Sequence, residues 1–241
     1  MDAEPDALLQ PGRREIWMRR TLFCAFAAGF TVPYFKVLNR VDVVGRERLN
    51  ALPRRGVVFL SNHQTYFTEA IAFFDAVYRR RGIRWEDPYL RFSAAEETMR
   101  KNLATSLLTT AGAVTFQRSH RHGGVDLRRS VDFEGIGRIE QAIRSGWLLH
   151  FPTGTTREGA PVRPGVSRLL HSTQAVAVPV RVDGFREMLL HKQIPGRIRR
   201  RASIRIDEPM DLEQFYAQPY TPDAGARVAA RIADAIGDRV A

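Results

Sequence analysis

Apolar residues along the chain fall into short runs separated by turns rich in glycine and proline, and the runs alternate between strand-like and helix-like periods. Residues 41–45 (Val-Asp-Val-Val-Gly) alternate as a short strand, 49–55 form a turn, and 56–60 (Gly-Val-Val-Phe-Leu) read as a buried strand. From 67 to 80 the apolar positions Ile71, Phe74 and Tyr78 recur at three- and four-residue spacing, which predicts a helix running back along the sheet. The alternation continues with a strand over 91–95, a helix over 99–110 carrying Leu103, Leu107 and Leu108 on one side, and a strand over 112–118. A basic loop at 119–124 and a helix over 126–144, ended by Ser145-Gly146, lead to a strand over 147–151. Arg163-Pro164-Gly165 opens a helix through His171. A strand over 175–182 interrupted by Pro179, a strand over 202–206 and a closing helix over 224–240 complete the chain. Strands alternating with helices predict one αβα domain of the α/β class, with a central mixed, largely parallel sheet.

Length fits that reading: 241 residues with 44% hydrophobic content bury one sizeable core, and no internal repeat or low-complexity tract divides it. The single Cys24 forms no internal disulfide. Lys plus Arg total 37 against 26 for Asp plus Glu, a net charge of +11, so anionic partners are expected: phosphorylated small molecules, an anionic membrane surface or nucleic acid. An arginine-rich composition without functional meaning is the competing explanation. Nucleic acid is the weaker partner, because the basic cluster at 192–201 lacks interleaved aromatics and no nucleic-acid-binding signature accompanies it.

The amino terminus stands apart. After a polar tail, Arg13, Arg14, Arg19 and Arg20 flank Ile16, Trp17 and Met18, and residues 21–35 form an apolar run of about 15 residues, short of the ~20 that a spanning helix needs. A secretory signal, an interfacial helix with arginines on headgroups and a helix packed on the core all fit. The interfacial helix is favoured because the run meets Pro33, Tyr34, Phe35 and Lys36 instead of a cleavage site. The chain thus divides into residues 1–40, a tail and membrane-interface helix, and residues 41–241, the folded domain. A peripheral or monotopic place on the cytoplasmic face of the cytoplasmic membrane is expected.

The densest chemistry comes after the 56–60 strand: Ser61-Asn62-His63-Gln64-Thr65-Tyr66-Phe67-Thr68-Glu69. A strand ending at Asn-His delivers an imidazole to a sheet edge, where side chains reach a ligand without unpairing the backbone. A neutral imidazole accepts a hydroxyl proton, and a carboxylate on its other nitrogen fixes the tautomer and stabilises the imidazolium. Glu69 is the acid placed for that role, with capping of the helix start as its alternative. No Gly-x-Ser-x-Gly elbow is present and Cys24 has no nearby base, so the attacking hydroxyl belongs to a substrate. The second loop, Pro152-Thr153-Gly154-Thr155-Thr156-Arg157, offers backbone amides, hydroxyls and a guanidinium to a phosphate, or is an ordinary polar turn. Arg118 is either an anion ligand or a solvated strand-end residue. His63 and Glu69 have no third partner at metal-ligand spacing, so no metal or other cofactor is expected, and His120, His122, His150, His171 and His191 read as surface or core residues.

SNHQTYFTE, GAVTFQR, FPTGTTREGAPVRPG and AVAVPV, in this order, resemble the four blocks of the glycerolipid acyltransferase family, the lysophosphatidate acyltransferases and their relatives. The resemblance covers residues 41–211 and implies transfer of a fatty acyl chain from a thioester of coenzyme A or acyl carrier protein to a lysophospholipid hydroxyl, 1-acylglycerol-3-phosphate above all. Another lipid acceptor, or a silent membrane- or nucleic-acid-binding relative, are the alternatives. In the family's first block an aspartate follows Asn-His after four residues and the histidine is the general base. His63 matches, but that spacing leads to Thr68, and the acid comes one place later as Glu69. The third block usually reads Phe-Pro-Glu-Gly-Thr-Arg. Phe151, Pro152, Gly154 and Thr155 match, Thr153 stands at the glutamate, and Thr156 at the arginine, which Arg157 replaces from one position on. Arg118 matches the arginine ending the second block, and Arg163 falls near the family's basic residue before a glycine. The resemblance thus places the acceptor phosphate among Arg118, Gly154, Thr155 and Arg157.

Overall fold

A computed structural model of the protein describes residues 17–18, 21, 25, 27–65, 67–78, 90–99, 112–117, 121–122, 125–126, 132–188 and 198–237. Among the described residues seven strands form the central sheet: β1 (Arg40–Val44), β2 (Val57–Ser61), β3 (Leu90–Ala95), β4 (Ala113–Phe116), β7 (Trp147–His150), β8 (Val176–Asp183) and β9 (Arg201–Ile206), in the order β1-β9-β8-β2-β7-β3-β4. Every neighbouring pair is parallel except β8 with β9, so the sheet is mixed and largely parallel as expected. β5 (Arg121–His122) and β6 (Val125–Asp126) form a small antiparallel pair where the sequence reads as a loop.

β2 lies centrally, between β8 and β7, and all five of its residues are buried, which is why its sequence is a continuous apolar run. Successive side chains alternate between two cores. Val57 and Phe59 face α1 (Thr68–Tyr78), α5 (Phe185–Met188) and the aromatic pair Tyr34 and Phe35. Val58 and Leu60 face α3 (Phe133–Ser145), α4 (Gly165–Thr173) and α7 (Pro222–Ile236). Short helices α2 (Glu96–Met99) and α6 (Glu213–Tyr216) complete the described elements.

Two features differ from the sequence reading, each for a local reason. Helix α3 begins at Phe133 rather than at 126, because Asp126 pairs in β6 and Asp132 is the cap, accepting from the Gly135 N–H at 2.8 Å. The other oxygen of Asp132 accepts the Gln117 N–H at 2.7 Å and ties the exit of β4 to that helix. Pro179 does not interrupt β8. Its carbonyl accepts the Asp207 N–H at 3.0 Å, and its imide nitrogen has no hydrogen to return the bond, so it lies where pairing with β9 ends. The helix expected over 99–110 lies outside the described residues apart from Met99, the end of α2.

At the amino terminus the described residues continue helically past Pro33, in wide turns over Ala27–Thr31 and Pro33–Leu38. The Asn39 N–H donates to the Tyr34 carbonyl at 3.0 Å, spanning five residues. This segment has two faces. Tyr34 and Phe35 are buried, the Tyr34 hydroxyl donates to the Met188 carbonyl at 2.8 Å, and the Thr31 hydroxyl donates to Asp75 at 3.0 Å. Val32, Val37 and Leu38 are exposed, as are Trp17 and Met18. Among the described residues no helix is long and apolar enough to cross a membrane.

Candidate active site

β2, β7 and β8 run side by side in one direction, so the segments beyond their carboxyl ends meet at one sheet edge. Leu60 lies opposite His150 on β7, and Ser61 opposite Val180 on β8. The 61–65 loop therefore leaves β2 between the 151–157 loop and the turn after β8.

Two amides fasten that loop. Asn62 extends the ladder beyond β2 with its side chain: Nδ2 donates to the Val182 carbonyl at 2.9 Å, and Oδ1 accepts the Val182 N–H at 2.8 Å. Gln64 Oε1 accepts the Phe185 N–H at 3.0 Å. Neither residue carries a role in the sequence reading. The signal for Asn62 is its place one residue past a buried strand, where a side-chain amide can stand in for a peptide group.

Between these fastenings His63 Nδ1 lies 2.7 Å from Glu69 Oε1. Glu69 is 1% exposed, on the first turn of α1. Its Oε1 also accepts the Gln64 and Thr65 N–H groups, each at 2.9 Å, and its Oε2 accepts the Thr65 hydroxyl. Thr65 Oγ1 in turn accepts the Thr68 N–H at 3.0 Å, so Thr65 caps α1 while orienting the carboxylate. Glu69 thus accepts from the amides of the loop ahead of the helix and from the Thr65 side chain, while the same carboxylate lies against the His63 ring. Burial alone would raise its pKa, but the hydrogen bond and charge of His63 and the bonds from Thr65 outweigh burial and hold the carboxyl below its ordinary value.

Phe151, the first residue past β7, stacks on the His63 ring with centroids 4.2 Å apart and planes 25° from parallel. With Nδ1 engaged by Glu69 and one face covered by Phe151, Nε2 is the ring atom that can take a proton from a bound hydroxyl.

The second loop closes on itself. Gly154 has φ +64°, a conformation glycine adopts without strain, and its N–H donates to the Phe151 carbonyl at 3.0 Å. Thr153 is buried and its hydroxyl donates to the Thr155 carbonyl at 3.0 Å, so that donor is engaged inside the loop. Thr155 Oγ1 accepts the Arg157 N–H at 3.3 Å, and Arg157 itself is exposed. Arg163 returns to the loop: its N–H donates to the Pro152 carbonyl at 3.0 Å and its Nε to the Thr153 carbonyl at 3.2 Å. The structure thus joins Thr153, Gly154, Thr155 and Arg163 in one turn beside His63, with Arg157 on its outer side. Arg118 lies outside the described residues. The strand before it, β4, ends on the same sheet edge, three strands from β2, or about 14 Å at ordinary strand spacing.

His150 ends β7 within this neighbourhood, with Nδ1 2.8 Å from Ser93 Oγ on β3. Burial, with a smaller contribution from the Arg163 charge, lowers its pKa from 6.5 to about 4, so it stands neutral beside the loop. Among the described residues no three His, Cys, Asp or Glu side chains gather as a metal site.

A dyad of histidine and buried carboxylate beside a glycine-containing turn is what the resemblance to the acyltransferase blocks implies, and comparison with known proteins bears on the family and the fold. The family model described as Acyltransferase matches residues 40–183, which span β1 to the end of β8 and contain both loops. No curated protein sequence matches the chain. Among solved structures, the chain is similar to the crystal structure of the 1-acyl-sn-glycerophosphate (LPA) acyltransferase PlsC from Thermotoga maritima, with a TM-score of 0.56 and 16% identity over 95% of this chain and 85% of that one. The structural likeness shows the shared fold, and the family match covers more than half of the sequence with His63, Glu69 and the second loop inside it: the chain belongs to the acyltransferase family.

Proposed function

We propose that the protein transfers a fatty acyl group from acyl-CoA or acyl carrier protein to the free hydroxyl of a lysophospholipid, 1-acylglycerol-3-phosphate first among them, with His63 as general base. The observation that carries this reading is the 2.7 Å contact between His63 Nδ1 and a buried Glu69 carboxylate. Family membership supplies the acyl-transfer chemistry, and the similarity to PlsC, a 1-acyl-sn-glycerophosphate acyltransferase by name, supports the choice of acceptor.

In this mechanism the acceptor hydroxyl sits against His63 Nε2 and gives up its proton as its oxygen attacks the thioester carbonyl. The tetrahedral intermediate collapses, the carbon–sulfur bond breaks, and the imidazolium returns the proton to the departing thiolate. Glu69 holds the Nδ1–H throughout and stabilises the imidazolium while it exists. The displaced acid works because Thr65 and the Gln64 and Thr65 amides fix the carboxylate at the helix start, so the dyad closes from one position later than the family's aspartate. No cofactor takes part in this scheme.

The exposed Trp17, Met18, Val32, Val37 and Leu38 and the net charge of +11 support a peripheral station on the anionic cytoplasmic face of the membrane, where a lysophospholipid acceptor would reside. The test of the substrate assignment is transfer of labelled acyl chains from acyl-CoA and from acyl carrier protein to a panel of lysophospholipids and neutral glycerides. Transfer to 1-acylglycerol-3-phosphate above the others supports it, and preference for another acceptor replaces it.

A further inference from the structure

The turn after β8 contributes a cation that neither the family blocks nor the sequence pattern points to. Arg186 lies in α5, and its Nη2 donates to the Thr156 carbonyl at 2.6 Å. Its element is firmly seated: Phe185 and Met188 on either side are fully buried, the Phe185 N–H is bonded to Gln64, and the Met188 carbonyl accepts the Tyr34 hydroxyl. Arg186 is itself half-buried.

Two guanidinium groups therefore grip the same turn from opposite ends, Arg163 at the Thr153 carbonyl and Arg186 at the Thr156 carbonyl. Each of these contacts uses one of the five N–H donors that a guanidinium carries, and among the described residues neither group forms an ion pair with a carboxylate. Arg157 lies on the outer side of the same turn, also without an ion pair among the described residues. Like charges gathered around a polar turn, beside the proposed general base and in no ion pair among the described residues, are stabilised by an anion, and planar forks suit phosphate.

We infer that Arg186 binds a phosphate group of one of the two substrates, acting with Arg163 across the Thr153–Thr156 turn. This rests on the acyl-transfer reading above. The phosphate comes either from the acceptor's headgroup or from the phosphopantetheine or nucleotide part of the donor, and the two sources separate experimentally.

Arg186→Gln and Arg186→Lys are compared with wild type in two pairs of assays. One pair sets lysophosphatidate against monoacylglycerol as acceptor, the other acyl-CoA against a phosphate-free acyl-pantetheine thioester as donor. For Arg186→Gln the preference for the phosphate-bearing member of one pair falls about tenfold, through KM rather than kcat, as expected for loss of a charge-assisted hydrogen bond, and Lys restores part of it. The affected pair identifies which substrate carries the phosphate. A preference unchanged in both pairs, or kcat lost equally for all substrates, overturns the inference and leaves Arg186 as a tie for the loop. Titration of glycerol 3-phosphate and of coenzyme A into His63→Ala protein, with and without Arg186→Gln, reads the site without turnover. Weaker binding of either probe in the double variant supports the role even if wild type transfers no acyl group, and equal binding of both contradicts it.

Discussion

Replacing Glu69 with Gln removes a charge while keeping the side chain's length, and the geometry around it sets the size of the effect. The carboxylate sits 2.7 Å from His63 Nδ1 and is buried, so it faces the imidazolium of the transition state at short range. With charge centres about 4 Å apart and an effective dielectric near 20, the attraction is about 4 kcal/mol, or roughly a thousandfold in rate at 1.4 kcal/mol per decade. The amide oxygen still accepts the Gln64 and Thr65 N–H groups, but the amide nitrogen now faces the Thr65 hydroxyl, which already accepts the Thr68 N–H. That mismatch costs about 1–2 kcal/mol of stability, which leaves the protein folded. Glu69→Ala is the poorer probe, since it also strips the buried amides of their acceptor. The assay is kcat/KM from thiol release, with thermal unfolding measured on the same preparation. A folded Glu69→Gln protein within about threefold of wild type would refute the proposed electrostatic role.

Two further predictions concern the frame of the site. His150 stays neutral in the folded state to about pH 4, while the unfolded chain takes its proton near 6.5, so its contribution is complete above that range and is lost as pH falls from 6.5 towards 4. At about 1.4 kcal/mol per pH unit the ceiling is roughly 3 kcal/mol, reduced by the part of the ring that water reaches. Chemical denaturation between pH 7 and 5 should show a shallower loss for His150→Leu than for wild type, and equal slopes would contradict the assignment. The depressed carboxyl of Glu69 adds acid lability of the same sign, but only as pH falls below the ordinary carboxylate value near 4.5. Asn62→Ala removes both bonds to Val182 and leaves that buried backbone without partners, at a cost of about 2–4 kcal/mol and with a loosened His63 loop. Calorimetry checks the stability change, and an unchanged Tm would show that the clasp is dispensable.

How far the sequence reveals this molecule depends on how local each interaction is. The β2 run is legible because a strand buried on both faces is apolar throughout, and the helix after it because Ile71, Phe74 and Tyr78 recur at helical spacing. Ile71 and Phe74 are nevertheless only partly buried, and Phe73 is the ring that packs on Phe59 of that strand. Helix α3 is misplaced at its start because Asp132, a cap, and Asp126, a strand residue, look alike before their partners are known. Likewise Pro179 reads as a break until its missing N–H is seen to fall beside the end of β9 pairing. At the site, His63 and Glu69 are legible in type since both lie in one nine-residue stretch. Their closure depends on Thr65, whose hydroxyl joins helix cap to carboxylate. Asn62 and Arg186 are silent in the sequence because their partners, Val182 and Thr156, are 120 and 30 residues away and meet them only through the parallel register of β2, β7 and β8.

Removal of the acceptor hydroxyl's proton by His63, as proposed, is read from the rate of labelled acyl transfer by His63→Gln, which preserves a polar side chain beside Phe151 and Glu69. A loss of at least about a hundredfold in kcat is expected, with the acceptor's KM little changed and the fold intact by circular dichroism. A folded His63→Gln protein that transfers acyl groups at the wild-type rate would contradict it.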